Sequence, residues 1–462
     1  MAVESKPLFH PEVIRQRLLS FSLPESVGQA QPKLQHWADL ISSGKADTFK
    51  ETALLPDFIT DIFCGLLGYV GPANADANGT FTLLRETHVE VDGRSADAAL
   101  GRFGADAKQF IVALEGKGTR DPLDRPFAGR PVSAVDQTYR YAINFPCDWI
   151  VVTSMKETRL YYKGSNQQTY ERFEMVRLAG DAALLKRFVF LLGAARVVPE
   201  KGECHLYELH RTSDSVGRKL TNEFYALYAD MRQKVFDRLR AENPGVPPRE
   251  ILRCTQKLLD RVLFCAFCED RGLLPAESLR RAFTHSDPYN PKPIWENFRG
   301  LFRAVDVGNA GLQIPAYNGG LFASDPGIEG LKVPDDICAC FRDLGDYDYR
   351  PARAVADAGD STEIRSVIDV DILGHIFEQS ITDLERLRQE LETGATPGSE
   401  AQAGARRKKE GAFYTPAFIT RYIVEQTLGG VLRDRFEALR RKEEAAATGS
   451  ARKPWKTRMP TI

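Results

Sequence analysis

The chain has 462 residues, with 62 basic against 63 acidic side chains and a formal net charge of −1, which excludes bulk electrostatic attraction to nucleic acid; any DNA contact must come from local basic patches. Its 43% hydrophobic and 27% charged content is that of an ordinary globular protein, and the length suggests about two to four domains. The longest apolar run, Phe188 to Ala195, is too short to cross a bilayer, and the N-terminus MAVESKPLFHPEV lacks a signal pattern. A cytoplasmic location with no membrane partner is therefore expected. The eight cysteines are scattered, which predicts reduced thiols.

Residues 1–45 read as a peripheral helical extension with a polar break at Gln29 to Pro32. Residues 46–165 read as one α/β unit. Lys50 to Leu67 has apolar residues at helical spacing and stops at Gly68. Glu51 stands in its first turn, where the helix dipole favours an acid. Phe81 to Val91 and Ala96 to Phe103 alternate like strands. Phe110 to Leu114 is an apolar run that ends in Glu115 and Lys117, punctuated by Gly116 and Gly118. A basic loop, GTRDPLDRPFAGRP, leads to a helical segment from Ser133 to Ile143. Trp149 to Thr153 and Thr158 to Tyr162 supply two further strands, closing the sheet.

Adjacent strands would bring Asp97 beside Glu115, although the chain separates them. Two carboxylates and an amine at one strand end suit Mg²⁺, which prefers oxygen ligands. Such a metal polarises a phosphodiester and acidifies an attacking water, while Lys117 would orient that water or offset charge on phosphate. Charged residues also gather at strand ends because those ends are wet. The apolar run before Glu115 favours the site instead, as does the helix carrying Gln137, Arg140 and Tyr141, since residues four apart share a helix face. This pattern resembles the PD-(D/E)XK nuclease core, including a Q-x-x-x-Y helix seen in many restriction nucleases. The resemblance implies Asp97 and Glu115 as metal ligands, Lys117 as the catalytic lysine, and Gln137 and Tyr141 as supporting residues. It also makes Glu51 a candidate third acid at the metal, beside its reading as a helix-start residue. Ala96 stands where that family's proline often precedes the aspartate.

Residues 166–390 read as a helical connector. From about Thr169 the period is helical. Asp181 to Val197, Val216 to Asn243, Glu250 to Arg271 and Asp369 to Leu387 are the main helices, and their apolar stripes read as packing faces. Cys265-x-x-Cys268 lies inside such a stripe, and with Cys338-x-Cys340 it lacks the spacing of a zinc site. His375 reads as a core histidine, and Asn318-Gly319-Gly320 as a turn. Residues 391–410 form a flexible linker ending in the basic Arg406-Arg407-Lys408-Lys409, which reads as a solvated face or a phosphate contact. Residues 411–462 open with GAFYTP, in which Thr415 caps a helix started by Pro416.

The strings LFCAFCEDRGLLP, IPAYNGGLF, VDILGHIFEQSITDLE and GAFYTP, in this order, resemble single-chain type IIG restriction–modification enzymes and related adenine-specific DNA methyltransferases of phage defence. That family joins a nuclease domain, a helical connector, a methyltransferase domain and a target-recognition domain. The resemblance implies that Phe413, Tyr414, Thr415 and Pro416 line an S-adenosylmethionine pocket. The sequence has neither a D-P-A-C-G-S-G-like loop nor an N-P-P-Y, so the methyltransferase fold is expected to be started but incomplete. The expected fold is thus an α/β nuclease domain, an all-α connector and the first helix of a methyltransferase domain. The expected activity is Mg²⁺-dependent cleavage of double-stranded DNA, without methylation by this chain alone. The competing expectation is a non-catalytic subunit or remnant that docks a separate methyltransferase or target-recognition chain.

Overall fold

The structure is a computed structural model; it describes residues 5–88, 95–105, 108–127, 129–142, 146–317, 319–350, 368 and 370–393, with isolated positions between 423 and 439. The chain divides into two units, one up to Gly217 and one from Arg218. Among the described residues no helix is long and apolar enough to cross a membrane.

The first unit opens with α1 (Pro11–Leu19) and α2 (Glu25–Ser42). These helices are not peripheral. Phe9, Ile14, Val27, Leu34, Trp37 and Ile41 are buried in the main core. Each large apolar side chain so buried contributes roughly 1.5–3 kcal/mol. Nor does α2 break near Pro32, which lies inside the helix. The buried positions Val27, Ala30, Leu34, Trp37 and Ile41 keep their helical spacing across it, so packing outweighs the local proline penalty.

Next comes α3 (Glu51–Phe58), which continues as a π-helical stretch over Ile59–Leu66. The expected single helix is present, but its second half is wound wider. The Pro56 carbonyl accepts a hydrogen bond from the Thr60 hydroxyl at 2.8 Å, and back-bonding of this kind loosens the helical ladder. Asp61 in this stretch accepts from the Trp37 indole N–H at 3.2 Å and pairs with Lys33 at 2.8 Å, which ties it to α2.

A six-stranded mixed sheet follows: β1 (Phe81–His88), β2 (Ser95–Phe103) and β3 (Lys108–Gly116), then α4 (Ala134–Ala142), then β4 (Trp149–Thr153), β5 (Glu157–Tyr162) and β6 (Tyr170–Glu174). The strands lie in sequence order. Only β3 and β4 pair in parallel, and a parallel neighbour needs a crossover, here the long loop and α4. β6 falls where the sequence pattern had turned helical. Its Glu171 is buried and accepts from the Leu8 and Phe9 N–H groups at 3.0 and 3.1 Å, while pairing with Arg187. A buried acid hides the apolar alternation that marks a strand. The helices α5 (Met175–Gly180), α6 (Ala182–Leu192) and α7 (Ala194–Val197) follow; the expected helix over Asp181 to Val197 is interrupted at Gly193, whose Cβ would lie 2.6 Å from the Val189 carbonyl oxygen.

Side chains alternate across the sheet. Leu100, Val112, Leu114 and Val151 face α1, α2, α3 and α6, whereas Ile150, Val152 and Tyr161 pack with Ala134, Val135 and Ala142 of α4. The result is a sheet covered on both faces. α8 (His205–Glu242) carries the division between the units, which falls between Gly217 and Arg218.

The second unit is helical among its described residues. It contains the rest of α8, α9 (Pro248–Asp270), α10 (Ser278–Thr284), α11 (Ile294–Val307), the short α12 (Pro326–Glu329), α13 (Asp335–Gly345) and α14 (Val370–Thr393). Its core centres on Tyr228, Leu258, Val262, Phe298, Phe341 and Tyr349. Cys265 and Cys268 are buried in α9 within that core, and all eight cysteines are free of disulfides. His375 lies in α14 with its side chain outside the described atoms, and Asn318 and the Arg406 to Lys409 run lie outside the described residues.

Candidate active site

The register of β2 against β3 pairs Ala98 with Leu114, which sets Asp97 opposite Glu115 one residue on. By alternation both belong to the sheet face that carries Ala99 and Ala113, the face covered by α4. The sequence separates these carboxylates, and strand pairing joins them.

The end of β3 is held from three directions. The Gly116 N–H donates to Asp97 Oδ2 at 2.7 Å. The Gly118 N–H donates to Glu51 Oε2 at 2.9 Å, so Glu51 reaches the strand end from the first turn of α3. The Lys117 N–H donates to the Thr153 carbonyl at 2.7 Å, extending the ladder to β4. α3 approaches Gly116 closely, and a Cβ there would force the Leu55 side chain to move.

Lys117 lies at the centre. Its Nζ makes an ion pair with Glu115 Oε1, and the two residues are only 9% and 6% exposed. Burial opposes the charge on Lys117. The charge and hydrogen bond of Glu115, with the charges of Glu51 and Asp97, more than offset it and hold the ammonium above the ordinary lysine range. Three acids thus act on one base, and the sequence-derived Asp97, Glu115, Lys117 and Glu51 form one electrostatic group.

These acids are not a ready-made ligand shell. Among the described residues no three His, Cys, Asp or Glu side chains converge as a metal site. Asp97 and Glu51 each turn an oxygen to a backbone N–H, and Glu115 turns one to Lys117. The donor chemistry nonetheless fits a hard divalent cation, since all three side chains offer carboxylate oxygens around a single cationic point.

Beside Lys117 opens a depression of about 400 Å³, lined by Glu51, Lys117 and Gln137 with Phe49, Lys50, Arg120 and Phe127 among others. Gln137 on α4 therefore shares the cavity with Glu51 and Lys117. Tyr141 lies in the same helix, but its side chain is outside the described atoms. The loop from Gly118 to Pro131 frames the cavity and is pinned by ion pairs. Arg130 grips Asp121 through two bonds of 2.7 Å, and Arg159 grips Asp124 at 2.6 and 2.8 Å. Sequence reading noted this loop as basic but not that Arg130 is consumed internally, nor that Phe49 and Phe127 stand at the rim. Phe413, Tyr414, Thr415 and Pro416 lie outside the described residues.

No family model matches the chain. A protein of Methanocaldococcus jannaschii, provisionally named as a type II restriction enzyme and methyltransferase, is similar at 26% identity over 207 residues, covering 39% of this chain. The chain spans about 15% of the length of that relative. Among solved structures, a cryo-EM structure of a DrdV–DNA complex matches at 21% identity, covering 35% of this chain and 96% of that one, with a TM-score of 0.22, too low to carry an argument.

Proposed function

We propose that the first unit is a PD-(D/E)XK-type nuclease module that hydrolyses DNA phosphodiesters within a restriction–modification system. The observation that carries this reading is the grouping of Asp97, Glu115 and Glu51 around Lys117, open to a cavity that also holds Gln137. The similarity to a restriction enzyme and methyltransferase supports the system to which the chain is assigned.

Asp97, Glu115 and Glu51 would hold Mg²⁺. When bound, the ion supplies charge stabilisation at the phosphate and a more acidic water. Lys117, released from Glu115, orients the attacking water or offsets the charge that grows on the phosphate oxygens. Its ammonium, held above the ordinary lysine range, stays charged at neutral pH. Gln137 lines the same cavity from α4, where its amide would contact the substrate.

The test is cleavage of supercoiled plasmid in Mg²⁺, with and without S-adenosylmethionine, by the wild-type chain, Asp97→Ala and Lys117→Ala. Nicking or linearisation should fall by about 10²–10³-fold in Lys117→Ala and at least as far in Asp97→Ala. Equal cleavage by all three proteins would remove the chemistry from this cluster.

A further inference from the structure

Four large apolar side chains are exposed among the described residues of the first unit: Leu19, Phe49, Phe127 and Val176. The two phenylalanines among them, 50% and 36% exposed, come from distant parts of the chain and line the same depression beside Lys117. The exposed cations Lys50 and Arg120 line it too, while Arg130 is committed to Asp121. At about 400 Å³ the depression falls in the range of small-molecule sites, roughly 300–1,000 Å³.

Phenylalanine carries no hydrogen-bonding group. It makes no hydrogen bond to the edge of a paired base, and the one apolar feature a duplex offers it there is the thymine methyl. Its larger contact is with the face of a ring, which a nucleobase shows only when unstacked. Flat apolar surfaces set among cations are the chemistry of single-stranded nucleic-acid binding.

We propose that this depression takes one unstacked nucleotide next to the scissile phosphate, its base on the Phe49 and Phe127 rings and its phosphate beside Lys50 and Arg120. The proposal rests on the nuclease reading and adds a nucleobase subsite to it. Its consequence is selectivity: DNA with a nucleotide already out of the stack binds better than the same DNA fully paired.

The test compares dissociation constants of the full chain for a duplex carrying a single-nucleotide bulge and for the fully paired duplex, in EDTA. The wild type should prefer the bulged duplex by about five- to 100-fold, the range expected for one stacked base. Phe49→Ala/Phe127→Ala should bring the ratio close to one, and Phe49→Tyr/Phe127→Tyr should keep it. Both rings are solvent-exposed, and an unchanged thermal melt checks that the variants fold. A ratio near one in the wild type, or an equal ratio in the alanine variant, overturns the subsite while paired-plasmid cleavage leaves the nuclease reading standing. Failure of the wild type to bind either duplex or to cleave plasmid overturns both.

Discussion

Two clusters of charge, one in each unit, use the same residue types to opposite ends. At the tip of β3, three carboxylates act on one buried ammonium. On α9, Arg253 and Lys257 share Asp325, and Arg253 also holds Glu250, so two acids meet two bases. The hydrogen bonds of Arg253 hold Asp325 well below the usual carboxylate range, and the same aspartate caps α12 through the Gly327 N–H at 3.1 Å. The α9 cluster is balanced, and its charges are spent on joining α9 to the loop before α12. The β3 cluster carries surplus negative charge beside a cavity. Charge imbalance beside a cleft marks a candidate functional site, whereas a balanced cluster acts as a staple.

The comparison breaks most sharply under charge removal. Lys117→Met leaves Glu115 buried without its cation and should cost about 3–5 kcal/mol in denaturant unfolding of the first unit. A cost under 1 kcal/mol would show that the pair is in effect solvated. Acid titration sharpens the second unit. Burial lifts Glu269 to about 7 from an ordinary 4.5, although its carboxylate accepts the Leu279 N–H at 2.7 Å. The folded state therefore holds a proton that the unfolded state has lost. Stability from this group is full below about pH 4.5, declines as pH rises towards 7, and is gone above it. Glu269→Gln should flatten that decline and stabilise the unit by about 1–3 kcal/mol at pH 8 relative to pH 5; parallel pH profiles of wild type and variant would refute it. The smallest effect belongs to the staple. Arg253 is 38% exposed, so solvent screens its pairs, and Arg253→Met should cost about 1 kcal/mol or less in the same assay.

The strand carrying Glu115, with Lys117 just beyond its end, was legible because a buried apolar run ends in two charges, and β2 because it alternates. The juxtaposition of Asp97 with Glu115 followed from simple pairing of neighbouring strands. What was not legible depends on distant partners. Glu171 is buried only because Leu8, Phe9 and Arg187 satisfy it, so β6 did not read as a strand. The proline in α2 reads locally as a break, and only burial of its apolar face keeps the helix whole. Arg130 reads as part of a basic loop until the fold supplies Asp121. Phe49 and Phe127 carry no pattern at all, since their meaning is their shared cavity.

The glycine amides at the end of β3 bear on how far this constellation can be moved. Asp97 and Glu51 both anchor on backbone N–H groups, at Gly116 and Gly118, and a Cβ at Gly116 would displace the Leu55 side chain. Asp97 and Glu51 are thus positioned by main-chain N–H groups, which depend on the path of the backbone rather than on any side chain. An engineer transplanting Asp97, Glu115 and Lys117 onto another sheet would inherit the functional groups without their mount. The smallest portable unit is β2, β3 and the first turns of α3 together, with the close packing of Leu55 on Gly116 kept.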